Sequence, residues 1–271
     1  MKTHSPLSRL AFGPGALAVT DSRMLPEEVA VALSFNGSTQ AVMMATPADL
    51  EDFAYGFALT EGLAKPAEIL SVEVVETPKG IDVQIWVTPQ AEARLAKRRR
   101  TMAGPVGCGL CGIDSLEEAM REMPAVTAEF QMTPAEVRAA IASLPGAQPL
   151  HDATRAVHAA GFWNGALVAV REDVGRHNAL DKLVGGMMRA STHPKGAVLI
   201  TSRVSIDMVQ KVAALGAPVL IAVSAPTVRA VRMADAASIT LIALARPDRF
   251  EVFTHESRLS GGLSSGDIHV A

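Results

Sequence analysis

Apolar and polar positions alternate along the first third of the chain and merge into unbroken apolar runs along its second half. VAVALSF (29–35), the turn residues Asn36-Gly37 and TQAVMMAT read as a β-hairpin. Pro47 opens an amphipathic helix through ADLEDFAYGFALTEGL, placed in the first turn where a missing N–H does no harm. SVEVVE, the turn TPKG and IDVQIWV form a second alternating pair, and PQAEARLAKRRR continues as a helix. From about residue 134 strands and helices take turns. ALVAVR (166–171) feeds the loop EDVGRHN and a helix from Ala179, and GAVLIT (196–201) feeds SRVS and the helix IDMVQKVAAL. PVLIAVS (218–224) feeds APT and VRAVRMADAA, and SITLIALA (238–245) feeds RPDR. Strands that are apolar at nearly every position are covered on both faces, which predicts a largely parallel sheet between helices. The chain thus reads as α/β: a smaller N-terminal α+β part over 1–125, an α/β core over 126–257, and a Gly/Ser-rich tail over 258–271.

Composition narrows the function. Apolar residues make up 49% and charged ones 20%, which fits a folded chain and excludes a disordered one. A formal net charge of −3 offers no surface for nucleic acid or anionic membrane. The apolar runs are too short to span a bilayer, and the N-terminal stretch is broken by Gly13-Pro14-Gly15, a poor signal peptide. A cytoplasmic protein is expected.

Both cysteines of the chain fall in GPVGCGLCGIDSLEEA (104–119). Ser115 and Glu118 form a capping box, so Cys108 and Cys111 sit at or just before a helix N-terminus, where dipole and free N–H groups favour a thiolate. Glycines at 104, 107, 109 and 112 let a large partner approach the sulfur, and the basic run Lys97–Arg100 lies just upstream. A structural zinc site would need four ligands, and no second cysteine pair exists. A zinc deaminase would need an H-x-E motif and a proline before the first cysteine; there is no H-x-E, and Gly107 stands in that place. No zinc is expected. A thioredoxin-like redox pair normally follows a strand, whereas this pair follows a basic helix and a Gly/Pro loop; that alternative stays open.

In open α/β sheets ligands collect at the carboxyl ends of the strands. The loops there contribute Arg176, His177, Ser202, Arg203, Ser205, Ser224, Thr227, Arg246 and Arg249. For a single Ser or Thr, helix capping is the simpler account. Four polar loops on one edge, several carrying Arg, suit a phosphate-bearing ligand. G-x-x-x-x-G-K-[ST] does not occur, which leaves no ATPase loop, and no G-x-G-x-x-G follows a strand as a dinucleotide fingerprint does, the spacing being met only by GCGLCG after the basic helix. His158, in the apolar stretch TRAVHAAGF, reads as a core histidine.

GCGLCG (107–112), EDVGRHNALDKLVG (172–185), TSRVSIDMVQK (201–211), VSAPT (223–227) and ARPDRFEVFTH (245–255) together resemble the formate dehydrogenase accessory sulfurtransferase (FdhD) family. The resemblance implies a cytidine-deaminase-like α/β core sheet with helices on both faces, a smaller N-terminal part, and a homodimer. It also implies a sulfurtransferase that takes persulfide sulfur from a cysteine desulfurase and passes it to the molybdenum bis(molybdopterin guanine dinucleotide) cofactor. The formate dehydrogenase apoenzyme then receives the cofactor. By the family pattern Cys108 carries the persulfide with Cys111 assisting, and the cofactor segment is Leu244-Ala245-Arg246-Pro247-Asp248-Arg249. Arg203, Ser205 and His177 join it from the strand-end loops, and guanosine diphosphate (GDP) is the expected fragment ligand. One departure stands out: the family's T-G-G-x-H is Thr154-Arg155-Ala156-Val157-His158 here, so that Arg155 either crowds the pocket or adds a phosphate contact. Two other functions remain: a cofactor-binding delivery chaperone without catalysis, and a thiol–disulfide oxidoreductase.

Overall fold

The computed structural model of the chain describes residues 1–12, 18–102, 121 and 123–261, with the backbone alone for Ala18 and 97–102. Cys108, Cys111, the capping box at Ser115 and Glu118, and the tail beyond Gly261 lie outside these residues.

The chain opens with an antiparallel arm, β1 (His4–Phe12) and β2 (Ala18–Pro26). A four-stranded sheet follows, of order β4-β3-β6-β5, from β3 (Val29–Phe35), β4 (Ser38–Ala45), β5 (Ile69–Thr77) and β6 (Gly80–Val87). Alternation decides its faces. Val31, Leu33, Phe35, Ile81, Val83 and Ile85 point to one side, where α1 (Leu50–Thr60) and α2 (Pro89–Met102) cover them with Phe53, Phe57, Ala91 and Leu95. The predicted hairpins appear with their Asn36-Gly37 and TPKG turns in place. The helix start does not. Pro47 lies in the turn ahead of α1, and Asp49 forms the N-cap in a left-handed conformation (φ 52°). Thr46 is fixed through its N–H to the Asp173 carboxylate, 3.0 Å away, so the chain must turn there before a helix can begin.

The second sheet has order β12-β11-β10-β9-β7-β8. Its members are β7 (His158–Trp163), β8 (Leu167–Asp173), β9 (Ala197–Ile200), β10 (Val219–Ala222), β11 (Thr240–Ala243) and β12 (Glu251–Val252). Only β9, β10 and β11 are mutually parallel; β7, β8 and β12 run antiparallel to their neighbours, which corrects the largely parallel expectation. The reason is connection length. The turn from Trp163 to Leu167, closed by Asn164 N–H on Ala166 O, is too short for a crossover helix. Along β9 the side chains divide by period two: Val198 and Ile200 pack toward α5 (Arg176–Arg189), α6 (Ile206–Leu215) and α7 (Val228–Ala236). Ala197 and Leu199 pack toward α3 (Pro134–Ser143) on the other face; α4 (Pro149–Thr154) precedes β7. The helix expected from Ala179 begins at Arg176, so Arg176 and His177 stand in its first turn rather than in a loop.

The two parts meet where α1 lies backbone to backbone on α5. A Cβ added at Gly56 would come within 1.7 Å of Asp181 O, and one at Gly185 within 1.8 Å of Asp52 O. Each glycine therefore admits the carbonyl of the opposite helix. Ion pairs surround this contact. Lys182 binds Asp173 at 2.6 Å with both side chains wholly buried, and Lys211 binds Asp181 at 2.9 Å. Asp52 binds Arg171 at 2.7 Å and Arg189 at 2.6 Å.

Candidate functional site

Because β7 is antiparallel, its first residue reaches the edge where β9, β10 and β11 end: His158 pairs with Asp173 and Ala160 with Ile200. The loops after β9 and β10 are stitched together by Thr227 N–H on Val204 O (3.0 Å) and Val204 N–H on Ala225 O (3.2 Å). The loop after β11 joins them through Leu244 N–H on Ser224 O, 3.3 Å. The strand-end residues thus share one edge, as expected from topology.

Within it, α5 and α6 present their first turns to each other, and the His177 imidazole Nε2 hydrogen-bonds the Asp207 carboxylate. Burial pushes the Asp207 carboxyl up, but the hydrogen bond and charge of His177 outweigh this and hold it well below the usual carboxylate range. Arg176 Nε is buried without a hydrogen-bond partner, and Ser205 Oγ lies buried beside Asp207 without a well-formed bond. Unpartnered buried polar atoms are rare in folded chains, and Arg176 Nε at this edge is one whose donor capacity a polar ligand could use. Arg203 is exposed next to them.

The cofactor segment divides. Ala245 is buried with its N–H on Ala222 O (3.0 Å), and Leu244 is half-buried in a left-handed turn (φ 51°). Arg246, Pro247, Asp248 and Arg249 are exposed. Arg246 N–H bonds Arg249 O at 2.7 Å, closing a tight loop, and its guanidinium donates to Val223 O at 2.5 Å and Ala245 O at 2.8 Å. Thr227 takes the plainer role: it caps α7 by accepting from Ala230 N–H.

Two residues at the edge escape a reading of sequence alone. Asp207 could have been found from its place two residues after Ser205, in the first turn of a helix. His158 is a rim residue, not a core one. Burial lowers its pKa, helped by Arg176, His151 and His177, which favours the neutral ring. Arg155 closes α4 in a left-handed conformation (φ 58°), the kind of position where glycine is favoured, and its guanidinium pairs with Asp152 at 3.0 Å on the surface.

A groove of about 790 Å³ lies at the opposite edge, where Lys195 and Ser238 precede β9 and β11; none of the predicted site residues lines it. Among the described residues no three His, Cys, Asp or Glu side chains gather as metal ligands, and no helix is long and apolar enough to cross a membrane.

The sequence model of the FdhD/NarQ family matches residues 26–260, nearly the whole of the described chain. The chain belongs to the FdhD/NarQ family. The sulfur carrier protein FdhD of Agrobacterium fabrum is 52% identical over 258 residues, covering 93% of this chain and 95% of the relative. That of Brucella abortus is 53% identical over 243 residues, covering 88% and 90%. A crystal structure of a formate dehydrogenase accessory protein from Desulfotalea psychrophila superposes with a TM-score of 0.75 at 26% identity, covering 95% of this chain and all of that one. FdhD/NarQ membership accounts for the shared order of the five motifs.

Proposed function

We propose that this FdhD/NarQ-family chain is a cytoplasmic sulfur carrier for formate dehydrogenase maturation. The Cys108 thiolate attacks the sulfane sulfur of a desulfurase persulfide; a new S–S bond forms at Cys108 and the desulfurase thiolate leaves. The Cys111 thiolate then attacks Cys108 Sγ: the Cys108–Cys111 disulfide forms, the Sγ–S bond breaks, and the outer sulfur leaves at the sulfide level, the cysteine pair supplying the two electrons, to be taken up by the molybdenum of the bis-guanine-dinucleotide cofactor, its substrate, before the cofactor enters the apoenzyme. We also take the chain to act as a homodimer, with a functional boundary near residue 125, and read the six-stranded sheet as the cytidine-deaminase-like core.

One observation carries the cofactor half of this reading: the buried Arg176 Nε, which has no hydrogen-bond partner, lies at the N-terminal end of α5, with Ser205 at the N-cap of α6 beside it. Helix N-termini with guanidinium and hydroxyl donors suit the diphosphates of a guanine dinucleotide. Exposed Arg203, Arg246 and Arg249 would hold its outer charges. GDP titrated by calorimetry tests this. The double variant Arg246→Ala/Arg249→Ala should raise the GDP Kd at least about tenfold, since a hydrogen bond to a charged group contributes about 1.5–3 kcal/mol. An unchanged Kd, or no binding by the wild type, would overturn the assignment.

A further inference from the structure

The groove of about 790 Å³ opposite the strand-end loops has one wall built from residues 126–131, a stretch with neither turn, bend nor helix. The stretch is pinned at both ends. Val126 N–H bonds Ala237 O (2.9 Å), Met132 N–H bonds Arg258 O (3.0 Å), and Ser260 N–H bonds Met132 O (2.9 Å). Ala128 packs on the side of α5, α6 and α7 and Phe130 on the side of α3, while Thr127, Glu129 and Gln131 are exposed. Alternate side chains thus do the packing, as in a strand. Yet from Thr127 to Gln131 no main-chain N–H or C=O has a hydrogen-bond partner among the described residues. The segment is a strand without a sheet. At about 3.3 Å per residue it presents a bare edge about 13 Å long. Bare edges invite strand pairing, and folded chains normally cover, charge or bend them.

Charge says what the edge takes. Lys195 and Arg258 line the groove, and neither has a carboxylate partner among the described residues. The half-buried Arg258 guanidinium donates to Thr240 Oγ1 at 3.3 Å, which leaves most of its N–H fork unused. Burial lowers its pKa, and no neighbouring acid raises it. His255, also in the lining, faces Asp235 at 3.5 Å. Glu129 is the one carboxylate among the described lining residues. A guanidinium and an ammonium without partners, beside a bare main-chain edge, match a strand whose side chains carry carboxylates. A second copy of the chain fits less well: two such edges paired about their middle residue would set Glu129 against its own copy. A lone anion would answer Arg258 and leave the main chain bare.

We propose that residues 127–131 and the groove beside them are a docking edge for an extended acidic segment of a partner protein, which adds as a strand and sets its carboxylates against Arg258 and Lys195. This inference does not rest on the sulfur-carrier reading, because none of the residues assigned to sulfur or cofactor lines the groove.

Fluorescence anisotropy of the full chain with a labelled Glu-Val-Glu-Val-Glu-Val peptide tests it. The comparison probes are the same peptide with lysine in place of glutamate, and the glutamate peptide N-methylated throughout, which keeps its charges but has no N–H to donate. The acidic peptide should bind, and both comparison peptides should bind at least about tenfold more weakly. Lys195→Gln/Arg258→Gln should also weaken the acidic peptide at least about tenfold, since hydrogen bonds to charged groups are the stronger kind. Glutamine at 258 keeps a donor for Thr240. Lys195→Gln alone, at an exposed position, should weaken it about threefold, in the range of a surface ion pair. Equal binding of the N-methylated peptide would leave a merely charged surface and overturn strand addition. No binding of the acidic peptide up to about 1 mM, or binding unchanged in both variants, overturns the proposal. So does a dimer of the chain that the peptide dissociates, because the edge would then belong to a second copy.

Discussion

Asp173→Ala should lower the unfolding free energy by about 3–5 kcal/mol, the usual cost of stranding a buried charge. Asp173 accepts from four donors: Thr46 N–H (3.0 Å), Gly175 N–H (2.7 Å), Asn178 Nδ2 (3.0 Å) and Lys182 Nζ (2.6 Å). Without it the wholly buried Lys182 ammonium keeps only Thr46 O, at 2.8 Å, as an oxygen partner among the described residues. The double variant Asp173→Ala/Lys182→Met removes the stranded charge and should recover most of the loss, a non-additivity that urea unfolding measures directly. A loss under about 1 kcal/mol in the single variant would mean that water reaches Lys182 and that the pair is not buried as described. The effect extends to function. Gly175 and Asn178 begin α5, so loosening them also frees Arg176 and His177 at the ligand edge.

Gly56→Ala should be comparably damaging by a different route. The new Cβ would lie 1.7 Å from Asp181 O and 2.9 Å from Gly185 N, both main-chain atoms of the opposite helix. No rotamer change can clear a main-chain clash, so α1 must move off α5 and carry Thr60 away from Asp181 and Lys211. Overpacking commonly costs 1–3 kcal/mol, and with backbone on both sides about 3 kcal/mol or more is expected. Gly185→Ala should match it, because its Cβ meets Asp52 O at 1.8 Å. Thermal unfolding of the two variants is the check; a change in Tm of under about 2 °C in either would contradict the close helix contact.

The same junction explains what the sequence could and could not tell. β3 and α6 coincide with VAVALSF and IDMVQKVAAL because alternation and a 3.6-residue period are local signals. The sequence pattern starts α5 three residues late, at Ala179, because the N-cap is Gly175, which carries no capping side chain. EDVGRHN reads as a ligand loop from its polarity, yet much of the polarity of EDVGRHNALDKLVG faces inward. Glu172 accepts from the first N–H groups of α4, at Leu150 and His151. Asn178 binds Met44 O, Lys182 binds Thr46 O, and Thr60 donates to Asp181. Met44, Thr46 and Thr60 lie more than a hundred residues from their partners in the chain, beyond any local pattern. Only Arg176 and His177 of that stretch stand at the strand-end edge. β7 gave little signal because Ala159, Ala160 and Gly161 are small and uniformly buried, and with the strand went the rim position of His158. The convergence of the strand-end loops, by contrast, follows from topology alone and was legible.

The central claim is that Cys108 carries sulfur, and intact mass tests it most directly. The wild type, Cys108→Ala and Cys111→Ala are each incubated with a cysteine desulfurase and free cysteine, then weighed with and without reductant. The account predicts a gain of one reducible sulfur in the wild type and in Cys111→Ala, and none in Cys108→Ala. No gain in any of the three, or an undiminished gain in Cys108→Ala, would contradict it.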